Sequence, residues 1–442
     1  MEVVRIDAVE RHPHGQVLLG SALDAPRPGD TAETYSFNVN GWAIGRDASV
    51  ESLQVLDGER ILAAVPPNRR RPDVAAGFAG VADAETCGFE VLVRAIELEP
   101  SFTVDIAAVL GDGTRQRLAT LRGRRERMTL AREATLNPIM LTTIGRSGSK
   151  WLAWLLSCHP AVVAFQPLEL EPRVAAYWMT VFRSLTAPSS YMRQVHADRW
   201  DQPRWWLGDG AGPVPAPVEL GIADWLGTES VHALAAVCQE RMDAFYLEVA
   251  KRSGKPGARY FAEKFLLDRV LLDLTLECFP AAREVILVRD FRDRLSSVLA
   301  WNEKNDDHGF GHDAGMSEAE YLTEHVLLDA EELLDRRRRR GRDAHVVRYE
   351  ELVLEPHSTL TSMFEHLGLE ADEGTVDAVL ELARAPGELL DTHRTLGDPM
   401  ETIGRWRRDL PPALANECNR ILAPVLDAFG YPTDLTSKEM AS

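Results

Sequence analysis

Leu141 to Pro160 reads LTTIGRSGSKWLAWLLSCHP, and its pattern decides which kind of fold follows. Ile139, Met140, Leu141 and Ile144 form an apolar run with β character. It gives way to Gly145-Arg146-Ser147-Gly148-Ser149-Lys150. A helical pattern starts at once, with Trp151, Leu152, Trp154, Leu155 and Leu156 on its apolar stripe. The order is strand, short Gly/Ser loop, helix N-terminus. Loop N–H groups and the positive end of the helix dipole converge there and make an anion site. Arg146 and Lys150 add two cations, and Ser147 and Ser149 add two hydroxyls. A phosphate is the expected occupant; the plainer alternative is a Gly/Ser turn that only caps a helix. The loop is not the Walker A form, which needs Gly, four residues, Gly-Lys and then Ser or Thr. Here Lys150 follows Ser149, and Trp151 stands where the magnesium-binding hydroxyl belongs.

A second block repeats the arrangement. Val285 to Trp301 reads VILVRDFRDRLSSVLAW, a buried strand running into a polar turn and a helix. Arg289 leaves the strand end, and Ser297 lies eight residues on, about two helical turns. Both can reach one phosphate, and Arg offers a bidentate fork. The bland alternative is a surface network of Arg289, Asp290, Arg292, Asp293 and Arg294. Two weaker blocks follow: Val346-Val347-Arg348-Tyr349-Glu350-Glu351-Leu352, and Ile403-Gly404-Arg405-Trp406-Arg407-Arg408-Asp409-Leu410.

The four blocks, in this order from Leu141 to about Tyr431, resemble the sulfotransferases that use 3′-phosphoadenosine 5′-phosphosulfate (PAPS). The family's 5′-phosphosulfate loop has a basic residue, a hydroxyl residue, Gly, a hydroxyl residue, one free position and then Trp or Leu. Arg146, Ser147, Gly148, Ser149 and Trp151 fit it, with Lys150 in the free position. Its 3′-phosphate site pairs an Arg after a strand with a Ser eight residues later, as Arg289 and Ser297 stand. The resemblance places Tyr349 near the nucleotide base, and Gly404, Arg405 and Trp406 in the segment that closes over the 3′-phosphate. It implies PAPS as co-substrate, no metal, and in-line sulfuryl transfer to a hydroxyl of a small molecule, glycan or lipid. Arg146, Lys150 and Lys264 are then the candidate cations for the leaving oxygen, and Lys264 reads equally as an ordinary strand-end lysine. Many family members use a histidine base between the two phosphate sites, and the segment Glu263-Lys264-Phe265 has none. Others use a glutamate soon after the first helix, which makes Glu169 or Glu171 the expected base. Two rival readings are a P-loop kinase or nucleotidase using ATP and Mg²⁺, and a non-catalytic binding protein whose N-terminal region does the work.

The 442 residues suffice for two domains with their own cores. Hydrophobic residues make up 45% and charged residues 26%, a globular balance. The net charge of −19 disfavours nucleic acid and heparin-like polymers as partners. No stretch reaches transmembrane length, the N-terminus lacks a secretory pattern, and the five scattered cysteines form no CxxC pair. A cytoplasmic location is expected.

Residues 1–125 carry period-two strands broken by turn signals, including the hairpins Val50–Leu56 with Ile61–Val65 and Ser101–Leu110 with Arg115–Leu121. They are expected to form a helix-free β-sandwich that loosely resembles immunoglobulin-like accessory modules. Arg122–Arg127 reads as a charged linker, and the division between the domains is set at 126–137. From 138 to 435 strands and helices alternate, the pattern of a parallel sheet with ligands at the strands' C-terminal ends. The expected fold class is therefore α/β, a P-loop-like sulfotransferase domain preceded by a smaller all-β sandwich. Segments 187–227 and 302–316 read as lids or as structural excursions, with His308 and His312 the fallback bases. The run Arg336–Arg340 reads as a solvated helix end.

Overall fold

A computed structural model describes residues 2–67, 69–165, 171–186, 228–306, 308–313, 315–384 and 398–433. The chain contacts divide these into two units. One lies within Met1–Arg132 and Met179–Cys238, the other within Glu133–Trp178 and Gln239–Ser442. The 187–227 segment named above falls outside the described residues, as does Glu169.

In the first unit, nine strands form two antiparallel sheets. They are β1 (Val4–Arg11), β2 (Leu18–Ala25), β3 (Thr31–Ala32), β4 (Ser36–Gly45), β5 (Val50–Asp57), β6 (Arg60–Val65), β7 (Gly88–Arg94), β8 (Ser101–Leu110) and β9 (Arg115–Arg125). The six-stranded sheet runs β3-β1-β9-β8-β5-β6 and the three-stranded sheet β2-β4-β7. Phe37 of β4 stacks on Phe102 of β8 at 5.8 Å, so the sheets share a core. Both expected hairpins are present. Two features differ from the sequence reading. A short helix occupies Pro72–Gly77, with Pro at its first position. Arg122–Arg125 are not linker but the end of β9, paired with both β1 and β8. Alternation explains this: Leu121, Gly123 and Arg125 face inward, and the buried Arg125 donates from Nε to the Leu98 carbonyl at 2.8 Å. Residues beyond the strands also belong to this unit. Arg94 donates to Thr186 at 2.9 Å, and Tyr35 meets His232 at 2.8 Å.

The second unit is built on five parallel strands: β10 (Asn137–Thr143), β11 (Val162–Val163), β12 (Tyr260–Phe265), β13 (Arg283–Val288) and β14 (Ala344–Arg348). Their order is β11-β12-β10-β13-β14, with β10 at the centre. A parallel sheet must be covered on both faces, and this one is. Val285 and Leu287 point to one side with Leu152, Leu155 and Leu156 of the Ser149–Cys158 helix. Ile286 and Val288 point to the other, with Phe291 and Leu295 of the Phe291–Asn305 helix and Leu333 of the Leu327–Arg340 helix.

The arginine run departs from expectation. Arg336 is buried and donates through Nε and Nη2 to Glu284, each at 2.8 Å. Arg340 and Thr142 reach the same carboxylate at 2.8 and 2.6 Å. The run begins as an internal ion-pair cluster rather than a solvated cap. Glu284 is buried at the start of the apolar run of β13, which forces a cation into the core to meet it.

Candidate active site

A cavity of about 580 Å³ lies at the C-terminal ends of β10, β12, β13 and β14. Its wall includes Gly145, Arg146, Gly148, Ser149, Lys150 and Trp151 after β10. Lys264, Leu266 and Leu267 follow β12, Arg289 follows β13, and Tyr349 follows β14. The sheet therefore delivers the loops of the first three sequence blocks, and Lys264 after β12, to one end at the cavity.

The loop between β10 and its helix is tightly specified. Arg146 has φ of 68° and Gly148 has φ of 92°. At Gly148 a Cβ would also stand 2.6 Å from the Tyr349 ring, so both backbone and space demand glycine. No side chain caps the Ser149–Cys158 helix, which leaves its first N–H groups directed at the loop. Ser147 is fully buried and its hydroxyl has no partner among the described residues. Trp151 leaves the apolar stripe assigned to it, lines the cavity and packs edge-on against Tyr349 at 6.0 Å.

The second block closes on the first. Arg146 donates from Nε to the Ser297 hydroxyl at 3.3 Å, and its guanidinium lies 4.6 Å over the Trp301 ring. Arg289 donates to the carbonyls of Arg146 and Thr402 at 3.1 and 2.9 Å, and lies 4.8 Å over Tyr349. Its Nε is buried without a partner among the described residues. Burial pushes the Arg146 guanidinium down to about 10, with Arg289 and Arg405 adding to the shift and Glu171 opposing it. Cations crowded in this way favour an anionic ligand.

The run from Arg289 to Arg294 is not a surface network, because all five of its charged residues are buried. Asp290 caps the following helix and holds Arg292 through two hydrogen bonds. Asp293 accepts from the backbone N–H groups of Gly404 and Trp406 at 2.7 and 2.9 Å, fixing the late turn. Burial and then Asp290 raise Asp293 to about 6, against those N–H groups and Arg289. Arg294 donates from Nε to the Gly145 carbonyl at 3.0 Å and from Nη2 to Asp329 at 2.6 Å.

Lys264 and Glu171 both line the cavity and pair at 2.5 Å. Burial raises the Glu171 carboxyl, but Lys264 first, then Lys150 and Arg173, outweigh it and hold the group below its ordinary value. A carboxylate so stabilised is a weakened base.

Among the described residues, four expected site residues do not line the cavity: Ser147, Gly404, Arg405 and Trp406. Trp406 is buried in the core beneath Arg292, whose guanidinium lies 4.3 Å from its ring, and Arg405 pairs with Asp409 at 2.6 Å. The turn's contribution near the cavity is Thr402, whose hydroxyl meets Tyr349 at 3.0 Å. Sequence reasoning missed Arg173, Arg294, Trp301, Phe310, Asp329 and Glu332, all of which line the cavity. Arg294 and Trp301 carried a signal, because they share a helix with Ser297 at spacings of three and four. Phe310 lies in the 302–316 segment and packs where a Cβ on Gly145 would go, at 2.7 Å. His312 in that segment packs at a tilt against Tyr321 instead, with ring centroids 4.9 Å apart.

The chain matches the model of the sulfotransferase family over residues 138–373. A search of curated proteins returned no significant match. Among solved structures, the sulfotransferase domain of the Synechococcus olefin synthase is 20% identical, with a TM-score of 0.36, over 70% of this chain and 100% of that one. A sulfotransferase from Mycobacterium avium is 17% identical, with a TM-score of 0.35, over 68% and 79%. A mouse sulfotransferase complexed with PAP is 12% identical, with a TM-score of 0.35, over 66% and 85%. The family match takes in the anion loop after β10, Lys264 after β12 and the Arg289–Ser297 pair after β13, and covers more than half of the chain; the protein belongs to the sulfotransferase family and is a sulfotransferase enzyme.

Proposed function

We propose that the cavity binds PAPS and that the enzyme moves its sulfuryl group to a hydroxyl of a small molecule, glycan or lipid. One observation carries the reading. Unpartnered buried donors, Ser147 Oγ and Arg289 Nε, gather with an uncapped helix N-terminus around one cationic loop. Two separate phosphate sites suit a nucleotide phosphorylated at both ends of its ribose. In this reading the loop from Arg146 to Trp151 holds the 5′-phosphosulfate. Arg289 and Ser297 hold the 3′-phosphate, and Tyr349 packs beside the base. Gly404 to Trp406 act behind the 3′-phosphate, through the turn that Asp293 fixes.

The acceptor oxygen attacks sulfur in line, the bond from sulfur to the bridging oxygen breaks, and adenosine 3′,5′-bisphosphate leaves. Lys150 and Lys264 neutralise charge developing on that oxygen, a contribution of roughly 3–4 kcal/mol for a well-aimed donor. Glu171 orients Lys264. No metal takes part in this scheme.

A thermal-shift assay in EDTA tests it. Adenosine 3′,5′-bisphosphate at about a hundred times its dissociation constant adds about 2.7 kcal/mol by mass action. Strong stabilisation by ATP with Mg²⁺, and none by the bisphosphate, would give the site to a kinase instead.

A further inference from the structure

We propose that Glu332 is the base that takes the acceptor's proton. The inference rests on the donor reading above and names a residue that reading leaves open. Glu332 lines the same cavity from the Leu327–Arg340 helix. Asp329 precedes it by three residues, so the two share a helix face. Asp329 takes Arg294 Nη2 at 2.6 Å, and Arg294 Nε holds the Gly145 carbonyl at 3.0 Å. That chain of contacts ties the helix that carries Glu332 to the start of the anion loop.

The two cavity glutamates differ in their surroundings. Glu171 is clamped by Lys264 at 2.5 Å, with Lys150 and Arg173 close by. Glu332 makes no ion pair or hydrogen bond among the described residues, and the charges that act on it, Asp329, Asp268 and Asp335, are acidic. Its carboxyl is raised to about 7, by burial and then by those three carboxylates. Glu332 stands exposed at the cavity wall. Of the cations lining the cavity, Arg294 is engaged by Asp329 through its Nη2. A carboxylate near neutrality is matched to general-base work, whereas a clamped one is matched to holding a lysine.

The step balances without a further reactant. The acceptor O–H gives its proton to a Glu332 oxygen as its own oxygen bonds to sulfur. The electron pair of the breaking bond goes to the 5′-phosphate oxygen, and the carboxyl later returns its proton to water.

The experiment uses the full chain, its Glu332→Gln and Glu171→Gln variants, and three probes. Adenosine 3′,5′-bisphosphate is titrated calorimetrically. Carboxyl absorption is followed by infrared spectroscopy from pH 5 to 9. Labelled PAPS is supplied with 4-nitrophenol, octan-1-ol and the water always present as acceptors. The expected result is unchanged bisphosphate affinity in Glu332→Gln and loss of one carboxyl band near pH 7, while those of Asp293 near 6 and Glu263 near 8 persist. Turnover falls by about 10²–10⁴ in kcat with little change in KM. Glu171→Gln keeps the band. A wild type that does not bind the bisphosphate overturns the donor reading. A wild type that binds it but shows no such band, or a Glu332→Gln that keeps wild-type turnover, overturns the base assignment.

Discussion

At Gly148 the chain has no freedom, since φ is 92° and the Tyr349 ring occupies the side-chain position. Gly148→Ala must strain the backbone or push Tyr349 from its hydrogen bond with Thr402. We expect it to abolish bisphosphate binding and to cost about 1–3 kcal/mol in stability, read by calorimetry and urea denaturation. Wild-type affinity in this variant would contradict the role given to the loop. Glu263 makes a different case. It is fully buried, accepting from Tyr246 O–H and the Ala175 N–H at 2.9 Å each, and burial lifts it to about 8 despite both donors. The folded protein then holds a proton that the unfolded chain releases near pH 4.5. Stability falls as pH rises from about 4.5 through 8, and Glu263→Gln removes that dependence, on the order of several kcal/mol across the window. Parallel pH–stability curves for the two proteins would refute this.

At the scale of elements, legibility followed alternation and loop chemistry. Strand, Gly/Ser loop and helix were readable at Leu141–Pro160 because apolar period, glycine and hydroxyl residues all agree there. Arg289 and Ser297, which both line the cavity, were legible as a strand end and a helix position two turns on. Arg122–Arg125 was misread because charge masked a period-two pattern that continues through Gly123 and Arg125. Arg336 was misread because its partner, Glu284, lies 52 residues away on a strand, and no local pattern marks a long-range buried pair. That cluster predicts its own measurement. Glu284→Ala leaves Arg336 buried without its bidentate partner and should cost about 3–5 kcal/mol in urea denaturation. A cost below about 1 kcal/mol would mean that the cluster is solvated or replaceable.

At the scale of the whole molecule, the β-module and the α/β unit were both expected from composition and period, and both are present. What stayed hidden was how residues distant in sequence share one wall. Asp329 and Glu332 sit in the helix that ends in Arg336–Arg340, and no local pattern marks either of them. Only the sheet order, with β10 central and β12 and β13 beside it, brings Lys264, Arg289 and the anion loop to one end.

The central claim is that one nucleotide spans two phosphate sites. Calorimetric titration of wild type and Arg289→Ala with adenosine 3′,5′-bisphosphate and with adenosine 5′-phosphate tests it most directly. The account predicts that the 3′-phosphate improves wild-type affinity by about 10- to 150-fold, the worth of a charge-assisted contact of roughly 1.5–3 kcal/mol. It predicts that most of this preference disappears in Arg289→Ala, while adenosine 5′-phosphate binds both proteins alike. Equal wild-type affinity for the two nucleotides, or a preference that survives in the variant, would contradict it.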